Sequence, residues 1–573
     1  MNDIRRTVLW VIFGFSMVLL WDQWQVHNGK PATFFPQSNK AVATAPAGKA
    51  SAPVVPSGAA PVPSAVPAAT APAVPPTGGP AAAAPAATPR ERFAVTTDLL
   101  RLTFDTEGGS LVGTELLKVA ADSSADKVTS TYVLLDDSAN RVYVAQTGLI
   151  GGDFPNHKTV MTASGERQLK DGARELSVRF ESPEKNGVKL VKTYTVKRGA
   201  YDVAVKHEVV NTGTAAVSPQ LYLQIVRDGN KLPGESSFYS TFTGPAVYTE
   251  EKKYQKIDFG DIEKNKADFV KESSSGYVAM VQHYFASAWI LPDGVKRQLF
   301  ARKVDNNLYA VGMITGVDAL APGASKAVET RFFAGPQEEK MLEHVAPGLD
   351  LVKDYGWLTI LAKPLYWLLD KIHSFIGNWG WSIMALVLLI KISFYWLQAK
   401  GYQSMAKMKA INPRVMAMRE RYKDNPQQMQ QEMMKIYREE KVNPLGGCFP
   451  IMVQIPVFIA LYWVLLSTVE MRNAPWIGWI RDLAAPDPYF ILPVVMTLTT
   501  MLQTALNPAP PDPMQAKMMW IMPLAFSVMF FFFPAGLVLY WITNNVLSIA
   551  QQWLINTRMG VPPEFNLPKF GRT

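Results

Sequence analysis

Residues 379–398 read WGWSIMALVLLIKISFYWLQ and carry one lysine, Lys391, inside an otherwise apolar stretch. This length and hydropathy predict a helix that crosses a bilayer. A charged side chain near the bilayer centre costs roughly 2.5–3.5 kcal/mol on insertion scales, so it needs water, a partner or an exit to the interface. Snorkelling is the alternative. Lys391 precedes Gln398 by about 10 Å of helix, and a lysine stem reaches only ~6 Å, so such an escape would be partial.

Apolar residues are spread unevenly over the 573 residues. Long apolar runs lie at the N-terminus and from Trp379 onward, whereas residues 93–336 alternate apolar and polar positions. This pattern predicts a polytopic α-helical membrane protein with one large soluble domain. The net charge is +9, and Cys448 is the only cysteine, so no disulfide can form within the chain.

The first 92 residues predict an anchor followed by a linker. Arg5 and Arg6 precede the apolar stretch Thr7–Trp24, and no small-residue cleavage site follows it. Residues 1–26 are therefore predicted to be an uncleaved transmembrane anchor with its N-terminus inside, with a cleaved signal as the alternative. Residues 27–92 become rich in Ala and Pro and predict an extended periplasmic linker.

Residues 93–336 predict an all-β periplasmic domain. Leu176, Val178 and Phe180 alternate with polar residues, and Asn186-Gly187 supplies a hairpin turn. Repeated strands between Gly, Asn and Asp turns indicate a β-sandwich. The paired glycines of TEGGSL, residues 106–111, are compatible with a phosphate-binding loop, but a turn is the favoured interpretation. The histidines of this domain are isolated in sequence and form no metal-ligand pattern.

Residues 337–378 predict a helical connector and an interfacial amphipathic helix. One helical face carries a set of apolar residues: Leu361, Leu365, Leu368, Ile372 and Phe375. Charged residues interrupt the segment, which suits the membrane surface better than a span. The alternative, that this segment spans, would reverse the orientation of every later loop.

Residues 399–443 follow the Lys391 span and predict a basic cytoplasmic hairpin of two helices. Lys and Arg outnumber Asp and Glu there, and Lys423-Asp424-Asn425-Pro426 breaks the helical pattern. A solvated basic loop is the alternative. Six methionines indicate an adaptable contact surface: Met405, Met408, Met416, Met418, Met429 and Met433. The hairpin residues expected to matter are Lys407, Lys409, Arg419, Arg421 and Glu440.

Residues 444–556 predict four further spans. Residues 518–555 carry no charged side chain. As one helix they would measure about 57 Å, nearly twice a hydrocarbon core of ~30 Å, so the chain must turn back at FPAG, residues 533–536. This gives six spans with both termini cytoplasmic, residues 27–356 periplasmic, and residues 557–573 as a short cytoplasmic tail.

Polar side chains recur at helical spacing in three of the last four spans. Such residues commonly tie membrane helices together. Because three of these spans carry polar stripes and accompany Lys391, we favour a shared hydrated cavity over separate helix seams. Its predicted wall consists of Gln454, Thr500, Gln503, Asn544, Asn545 and Ser548.

Enzyme and transporter chemistry are disfavoured. The apolar parts of spans two to six contain no His, Asp or Glu, so an intramembrane nucleophile–base pair, a metal site and a carboxylate relay are not expected. Many small-solute transporters are built from internal repeats of spans, and this sequence shows no such repeat. No cofactor and no direct nucleic-acid contact are expected.

Four segments carry a family resemblance: QSMAKM (403–408), KVNPLGGCFP (441–450), DPMQ (512–515) and FPAGLVLYW (533–541). They strongly resemble the YidC/Oxa/Alb family of membrane protein insertases, over about residues 357–555. The anchor, linker and β domain look like the Gram-negative form. The resemblance implies a five-helix core around a hydrophilic groove open to cytoplasm and lipid, a periplasmic supersandwich, and no enzymatic activity.

The resemblance also implies roles for particular residues and partners. Lys391 stands where the family usually has a groove arginine, which keeps the charge but loses the bidentate fork. Tyr540 and Trp541 match the client-contacting tyrosines, and Phe458 and Met496 are expected beside them. The implied partners are nascent inner membrane proteins, the Sec translocon (SecYEG), SecDF, the lipid bilayer and, through the hairpin, the signal recognition particle receptor and ribosome. The short tail disfavours tight ribosome binding by that segment.

The resulting hypothesis is an insertase and chaperone of the bacterial inner membrane, working alone or with the Sec translocon. A membrane-anchored periplasmic binding module is the alternative, and a small-solute transporter is a third.

Overall fold

Alternating burial builds the strands of the first half of the chain. In Glu175–Glu181 the side chains of Leu176, Val178 and Phe180 are buried, while those between them are exposed. Because successive strand residues point to opposite faces, this period of two places one apolar face against the core. The computed structural model describes residues 89–121, 131–232, 241–422, 425–440, 449–507 and 513–558, together with Gly560 and Phe565. The predicted anchor, most of the linker and the stretch 441–448 lie outside the described residues.

The described residues form two compact units. The β-sandwich unit comprises residues 89–353, and the helical unit begins at residue 354. The strands are β1 Arg92–Thr96, β2 Leu100–Asp105, β3 Ser110–Ala120, β4 Thr131–Ser138, β5 Arg141–Ile150, β6 Thr162–Gly165, β7 Glu175–Glu181, β8 Val188–Lys197, β9 Asp202–Asn211, β10 Gln220–Asp228, β11 Gly244–Thr249, β12 Lys253–Lys256, β13 Glu272–Ser273, β14 Tyr277–Gln282, β15 Phe285–Ile290, β16 Arg297–Asp305, β17 Leu308–Gly316 and β18 Ser325–Pro336.

These strands form two antiparallel sheets, which confirms the predicted β-sandwich. One has the order β1-β2-β3-β4-β5-β10-β17-β16-β13, and the other has the order β12-β11-β14-β15-β18-β9-β8-β7-β6. Buried polar groups join the sheets. The indole of Trp289 donates to the carbonyl of Gln224 at 3.1 Å, and the hydroxyls of Tyr143 and Ser287 lie 2.7 Å apart.

Both predicted turns are present. Asn186 and Gly187 have φ of 49° and 71°, the left-handed pair that a tight hairpin between β7 and β8 requires. Gly108 and Gly109 turn the chain between β2 and β3, with φ of 73° and 56°. A Cβ on Gly108 would lie 2.5 Å from the carbonyl oxygen of His157, so the close approach also requires glycine. TEGGSL is thus a structural turn.

The helices are α1 Phe259–Glu263, α2 Glu339–Val345, α3 Thr359–Ile376, α4 Trp379–Ser393, α5 Tyr395–Arg421, α6 Pro426–Glu439, α7 Phe449–Ser467, α8 Ile491–Leu506, α9 Pro513–Met529 and α10 Ala535–Arg558. Short 3-10 helices occur at Leu349–Val352, Gly356–Leu358, Val469–Met471 and Phe530–Phe532. Helix α2 and the first of these turns bury Leu342 and Leu349 against the second sheet, so the β-sandwich unit extends to residue 353.

Helix α3 is amphipathic, and its apolar face overlaps the predicted one in part, since Leu365, Leu368 and Ile372 are partly buried against the helical core. Ala362, Tyr366 and Leu369 are buried, whereas Leu361 and Phe375 are 38% and 94% exposed. The buried stripe is rotated relative to the predicted one because α3 packs against α4 and α7 through residues on both sides of Leu365. Gly377, with φ of 75°, ends the helix. The side chain of Asn378 then caps α4 by accepting from the backbone N–H of Trp381.

The predicted Lys391 helix ends earlier than Gln398. Phe394 leaves helical geometry, with φ of −96° and ψ of 8°, and a new helix begins at Tyr395. The two helical segments are bent by 68°. Among the described residues, no single helix meets the length and apolarity expected of a membrane span, whereas Trp379–Ser393 and Tyr395–Met408 meet them as a bent pair. The six-span topology therefore stays a prediction.

The core of the helical unit is built by α3, α4, α7, α8 and α10. Ile383 and Leu386 of α4 pack with Leu461 of α7 and Val538 of α10. The helix is broken at FPAG as predicted, since α9 and the 3-10 turn Phe530–Phe532 end just before α10 begins at Ala535. The backbone N–H groups of Ala535 and Gly536 donate to the carbonyls of Ala485 and Leu483, which attaches the start of α10 to the loop before α8.

Helices α5 and α6 form the predicted hairpin. Pro426 follows Asn425, whose side chain caps α6 by accepting from the backbone N–H of Gln428. The prediction of a methionine contact surface is wrong for four of the six residues. These four pack inside the hairpin around Ile411, Val415 and Ile436: Met408, Met418, Met429 and Met433. The hairpin must bury its own apolar face to hold two helices together, and methionines fill that space.

Candidate functional site

Lys391 lies on the buried face of α4. Its side chain is 7% exposed and follows Ile383 and Val387 at four-residue spacing, so all three share one helical stripe. The ammonium Nζ donates to the Ser548 hydroxyl on α10 at 2.7 Å. Ser548 in turn donates to the backbone carbonyl of Asn544 at 2.7 Å. The positive charge is therefore held inside the unit by a neutral partner.

A chain of side-chain amides lies beside this contact. Gln398 Nε2 on α5 donates to Gln454 Oε1 on α7 at 3.1 Å. Gln454 Nε2 donates to Asn544 Oδ1 on α10 at 3.3 Å. Three helices that are distant in sequence are thus joined by neutral hydrogen bonds, next to the lysine from a fourth helix.

These groups border a cavity of about 310 Å³ within the helical unit. It brings together Lys391 and four of the six predicted wall residues: Gln454, Gln503, Asn544 and Ser548. The other lining residues are Gln398, Gly401, Tyr402, Met405, Ile455, Phe458, Asn507, Tyr540 and Trp541. None of these lining residues is acidic, so the lysine is the charged group of the described wall.

Three aromatic rings form the apolar side of the cavity. Phe458 lies 4.7 Å from Trp541 and 5.8 Å from Tyr540, measured between ring centroids. Tyr540 is buried, while Phe458 and Trp541 are half-buried. The predicted contact residues Phe458, Tyr540 and Trp541 therefore lie together in the cavity lining.

The two predicted wall residues outside the cavity lining, Thr500 and Asn545, lie in the contact between α8 and α10. Asn545 Nδ2 donates to Thr500 Oγ1 at 2.9 Å, and Thr500 Oγ1 donates to the carbonyl of Met496 at 2.8 Å. Met496 is buried in the helical core. Asn544 and Asn545 are adjacent, but one residue of helix turns a side chain by about 100°, so they serve different neighbours.

Four of the predicted hairpin residues lie on α5, and the fifth, Glu440, directly follows the end of α6. Lys407 and Arg421 are exposed, and Arg419 is half-buried. Arg414 forms ion pairs with both Glu440 and Glu439, each at 2.8 Å. Lys409 lies on α5. These contacts join the two helices at the open end of the hairpin.

The contribution of α5 to the cavity was not predicted from the sequence. Gln398, Tyr402 and Met405 recur at four- and three-residue spacing, which is one helical face. That spacing was visible in the sequence, but the bend at Phe394 that turns this face onto the cavity was not, because neither Pro nor Gly marks it.

A possible metal-ligand group occurs outside this cavity. The carboxylates of Glu339, Glu343 and Asp350 in the β-sandwich unit lie within 4.8 Å of one another. Exposed acidic groups converge in this way without a metal, and the cavity lining has no matching donor set.

Two family models match this chain. The model for the YidC periplasmic domain covers residues 92–368, and that for the 60Kd inner membrane protein covers residues 371–561. The chain is 57% identical to a membrane protein insertase YidC of Cupriavidus metallidurans, over 97% of this chain and 98% of the relative. It is 55% identical to the protein of that name from Ralstonia nicotianae, over 97% and 98%.

Among solved structures, an active YidC insertase with its first transmembrane domain resolved aligns over 81% of this chain and 92% of that chain. Its TM-score is 0.38 and its sequence identity is 19%. The sequence identity to the Cupriavidus and Ralstonia relatives is above 50% over nearly the whole chain, and both family models match as well. Sequence similarity alone therefore assigns the chain to a family. The chain belongs to the YidC family of membrane protein insertases.

Proposed function

We propose that this protein inserts membrane proteins through a hydrated, positively charged groove, of which the cavity beside Lys391 is the central part. The observation that carries the proposal is a buried ammonium held by one serine hydroxyl, at the edge of a cavity with amide walls. In the proposed topology, both termini are cytoplasmic and residues 27–356 are periplasmic.

The groove acts by lowering the cost of moving a polar segment into the bilayer. Moving an isolated polar or charged group from water into hydrocarbon costs several kcal/mol of free energy. Amide side chains and the Lys391 ammonium replace part of that hydration, and an acidic client tail gains an opposite charge. Catalysis by covalent chemistry is not needed, because the process transfers a segment between environments.

Release follows from the client's own hydrophobicity. A transmembrane segment of about 20 apolar residues is more stable in lipid than against a polar wall. The aromatic side formed by Phe458, Tyr540 and Trp541 gives that segment an apolar surface to pass. The client then leaves sideways into the bilayer. In this proposal the protein also acts as a chaperone while the client folds.

The proposed partners follow from the proposed topology. Nascent inner membrane proteins are the clients, and the exposed basic residues of the α5–α6 hairpin suit acidic surfaces of targeting factors or ribosomes on the cytoplasmic side. The β-sandwich unit is the proposed contact for SecDF, and cooperation with SecYEG extends the client range.

Charge replacement at position 391 tests the groove. In cells depleted of their own insertase, Lys391→Glu should abolish insertion of a client with an acidic tail, because like charges repel. Lys391→Ala should reduce it less. Lys371→Glu changes an exposed lysine on α3 and serves as the matched control. Normal insertion of acidic-tailed clients by both Lys391 variants would sink the groove-charge proposal.

A deletion separates this function from that of a periplasmic binding module. Removing residues 93–353 takes away most of the β-sandwich unit and should leave most client insertion intact. Loss of all function with a correctly folded helical unit would favour the binding module. Proteoliposomes that insert a client while accumulating no solute would dispose of the transporter alternative.

A further inference from the structure

Gln398 is the open end of the amide chain at the cavity. Its Nε2 donates to Gln454, but its Oε1 is buried and accepts no hydrogen bond from any residue that the structure describes. The whole side chain is 7% exposed. A buried acceptor without a donor is costly and uncommon, so a rotation of the Gln398 side chain that turns Oε1 from its buried position onto a ligand donor in the cavity would be favourable.

The bend at Phe394 gives Gln398 this position. Because α5 leaves α4 at 68°, its first turns line the cavity with Gln398, Tyr402 and Met405. Gly401 also lines the cavity and adds no side chain to fill it. Lys400 and Lys407 are exposed. The first helix of the hairpin is therefore also a wall of the site.

The chemistry of the wall matches a peptide main chain. Five carboxamides line the same cavity: Gln398, Gln454, Gln503, Asn507 and Asn544. A carboxamide carries one acceptor oxygen and two N–H donors, and it is neutral, as a peptide bond is. A segment that enters a poorly hydrated space brings backbone N–H and C=O groups that must find partners, whatever its side chains are.

The geometry points to Gln398 as a residue that binds the main chain of the inserting polypeptide, with Oε1 accepting a hydrogen bond from a client peptide N–H. This inference rests on the proposed insertion function. It adds to the site a contact that does not depend on client sequence. Lys391 then selects for client charge, whereas Gln398 serves acidic and neutral clients alike.

The experiment uses the full-length protein in proteoliposomes with a ribosome-arrested, single-span client. The client carries a photocrosslinker in its polar N-terminal tail, and the tail contains either Asp or Asn at the same positions. Gln398→Met should lower crosslinking by about threefold to tenfold for both tails, the effect of one lost neutral hydrogen bond. Lys391→Met should lower crosslinking of the Asp tail alone. Gln403→Met, at an exposed position on the same helix, is the matched control and should change neither.

A second measurement leaves the insertase unaltered. Replacing single client residues by α-hydroxy acids turns a peptide N–H into an ester oxygen, which cannot donate. At one or more tail positions this change should lower crosslinking to the unaltered protein. At the same position it should cause no further loss in Gln398→Met, because the two changes remove one shared contact.

The outcomes separate this inference from the proposed function. Unchanged crosslinking in Gln398→Met, a loss confined to the Asp tail, or additive effects of the ester and the Gln398 change would each overturn the main-chain contact. So would the absence of any sensitive ester position. If the unaltered protein crosslinked to neither tail, the proposed function would fail as well.

Discussion

The two units of this protein each bury a lysine, but the two ammonium groups have different surroundings. In the β-sandwich unit, Lys192 is fully buried, and its Nζ donates to the carbonyls of Gly108 and Thr147 at 2.5 and 2.8 Å. In the helical unit, Lys391 is nearly as buried, but one serine hydroxyl is its hydrogen-bond partner among the described residues, and it borders a cavity.

The contrast shows how surroundings decide whether a buried amine is structural or available. Two backbone carbonyls close the surroundings of Lys192, and burial lowers its pKa to about 7. Its neighbour across the sheet is His207, which the same closed core keeps neutral by lowering its pKa well below 6.5. Lys391 instead has space beside it for water or a ligand. We conclude that Lys192 joins the two sheets, whereas Lys391 is placed to act on something that enters.

Reversing the charge of each lysine should give the largest difference. Lys192→Glu buries a carboxylate against two carbonyl oxygens, so a fragment of residues 89–353 should fail to fold; removing one partner of a buried charge already costs about 3–5 kcal/mol. Lys391→Glu should leave the full-length protein folded, because the cavity admits water. Denaturant titration and size-exclusion chromatography measure these outcomes. Lys197→Glu, at an exposed end of β8, is the control. A stable Lys192→Glu fragment would contradict the structural role of Lys192.

The stability of the β-sandwich unit should also depend on pH. Between pH 10.5 and about 7, the unfolded chain holds a proton on Lys192 that the folded chain lacks, so the free energy of unfolding falls as pH falls. Below pH 6.5, His207 has the same effect. Each group contributes a slope of up to about 1.4 kcal/mol per pH unit.

Urea titrations of the 89–353 fragment across this range measure the slope. Lys192→Met should flatten the dependence above pH 7 and keep most of that below pH 6.5, because burial comes before the Lys192 charge among the causes that lower the pKa of His207. His207→Gln should remove the dependence below pH 6.5 and keep that above pH 7. Lys197→Met is the control for altered net charge. An unchanged slope in Lys192→Met would mean that the buried amine keeps its ordinary proton affinity.

Adjacent asparagines on α10 should give the smallest effects. Asn545 bonds to Thr500 between helices, so Asn545→Leu should lower stability by about 0.6 kcal/mol, a typical value for such contacts, with client crosslinking retained. Asn544→Leu removes the acceptor of the longer, 3.3 Å bond from Gln454 at the cavity, so it should reduce crosslinking with a smaller loss of stability. Unfolding in mixed detergent measures the first quantity. If client crosslinking were lost in Asn545→Leu but not in Asn544→Leu, Asn545 would belong to the groove wall after all.

Much of the architecture was predictable because its signals are local. Alternation in residues such as Leu176, Val178 and Phe180, the Asn186-Gly187 turn and the break at Pro426 each depend on neighbours in sequence. The helix break at FPAG followed from the length of the uncharged stretch. The end of α4 at Ser393 was not predictable, because aromatic residues continue the apolar pattern through the bend and no breaker marks it.

The site was predictable in its residue types and less so in its arrangement. Lys391, Gln454, Asn544 and Ser548 stood out because polar groups in apolar helices need partners. Helical spacing alone could not separate Asn544 from Asn545, or place Gln398, since each assignment depends on which helix lies opposite. The methionines of α5 and α6 were misread for the same reason, because their partner is the other half of the hairpin.

The amino-acid sequence by itself determined that this protein has a β-sandwich, a set of apolar helices and one lysine that needs a reason to be there. Period, turn chemistry and charge act over a few residues, so they can be read without a structure. Only the tertiary structure decided which oxygen the Lys391 ammonium meets, that α5 turns to wall the cavity, and that Gln398 leaves an acceptor unused. These depend on contacts between helices more than 50 residues apart, such as that between Gln398 and Gln454, and no local pattern encodes them.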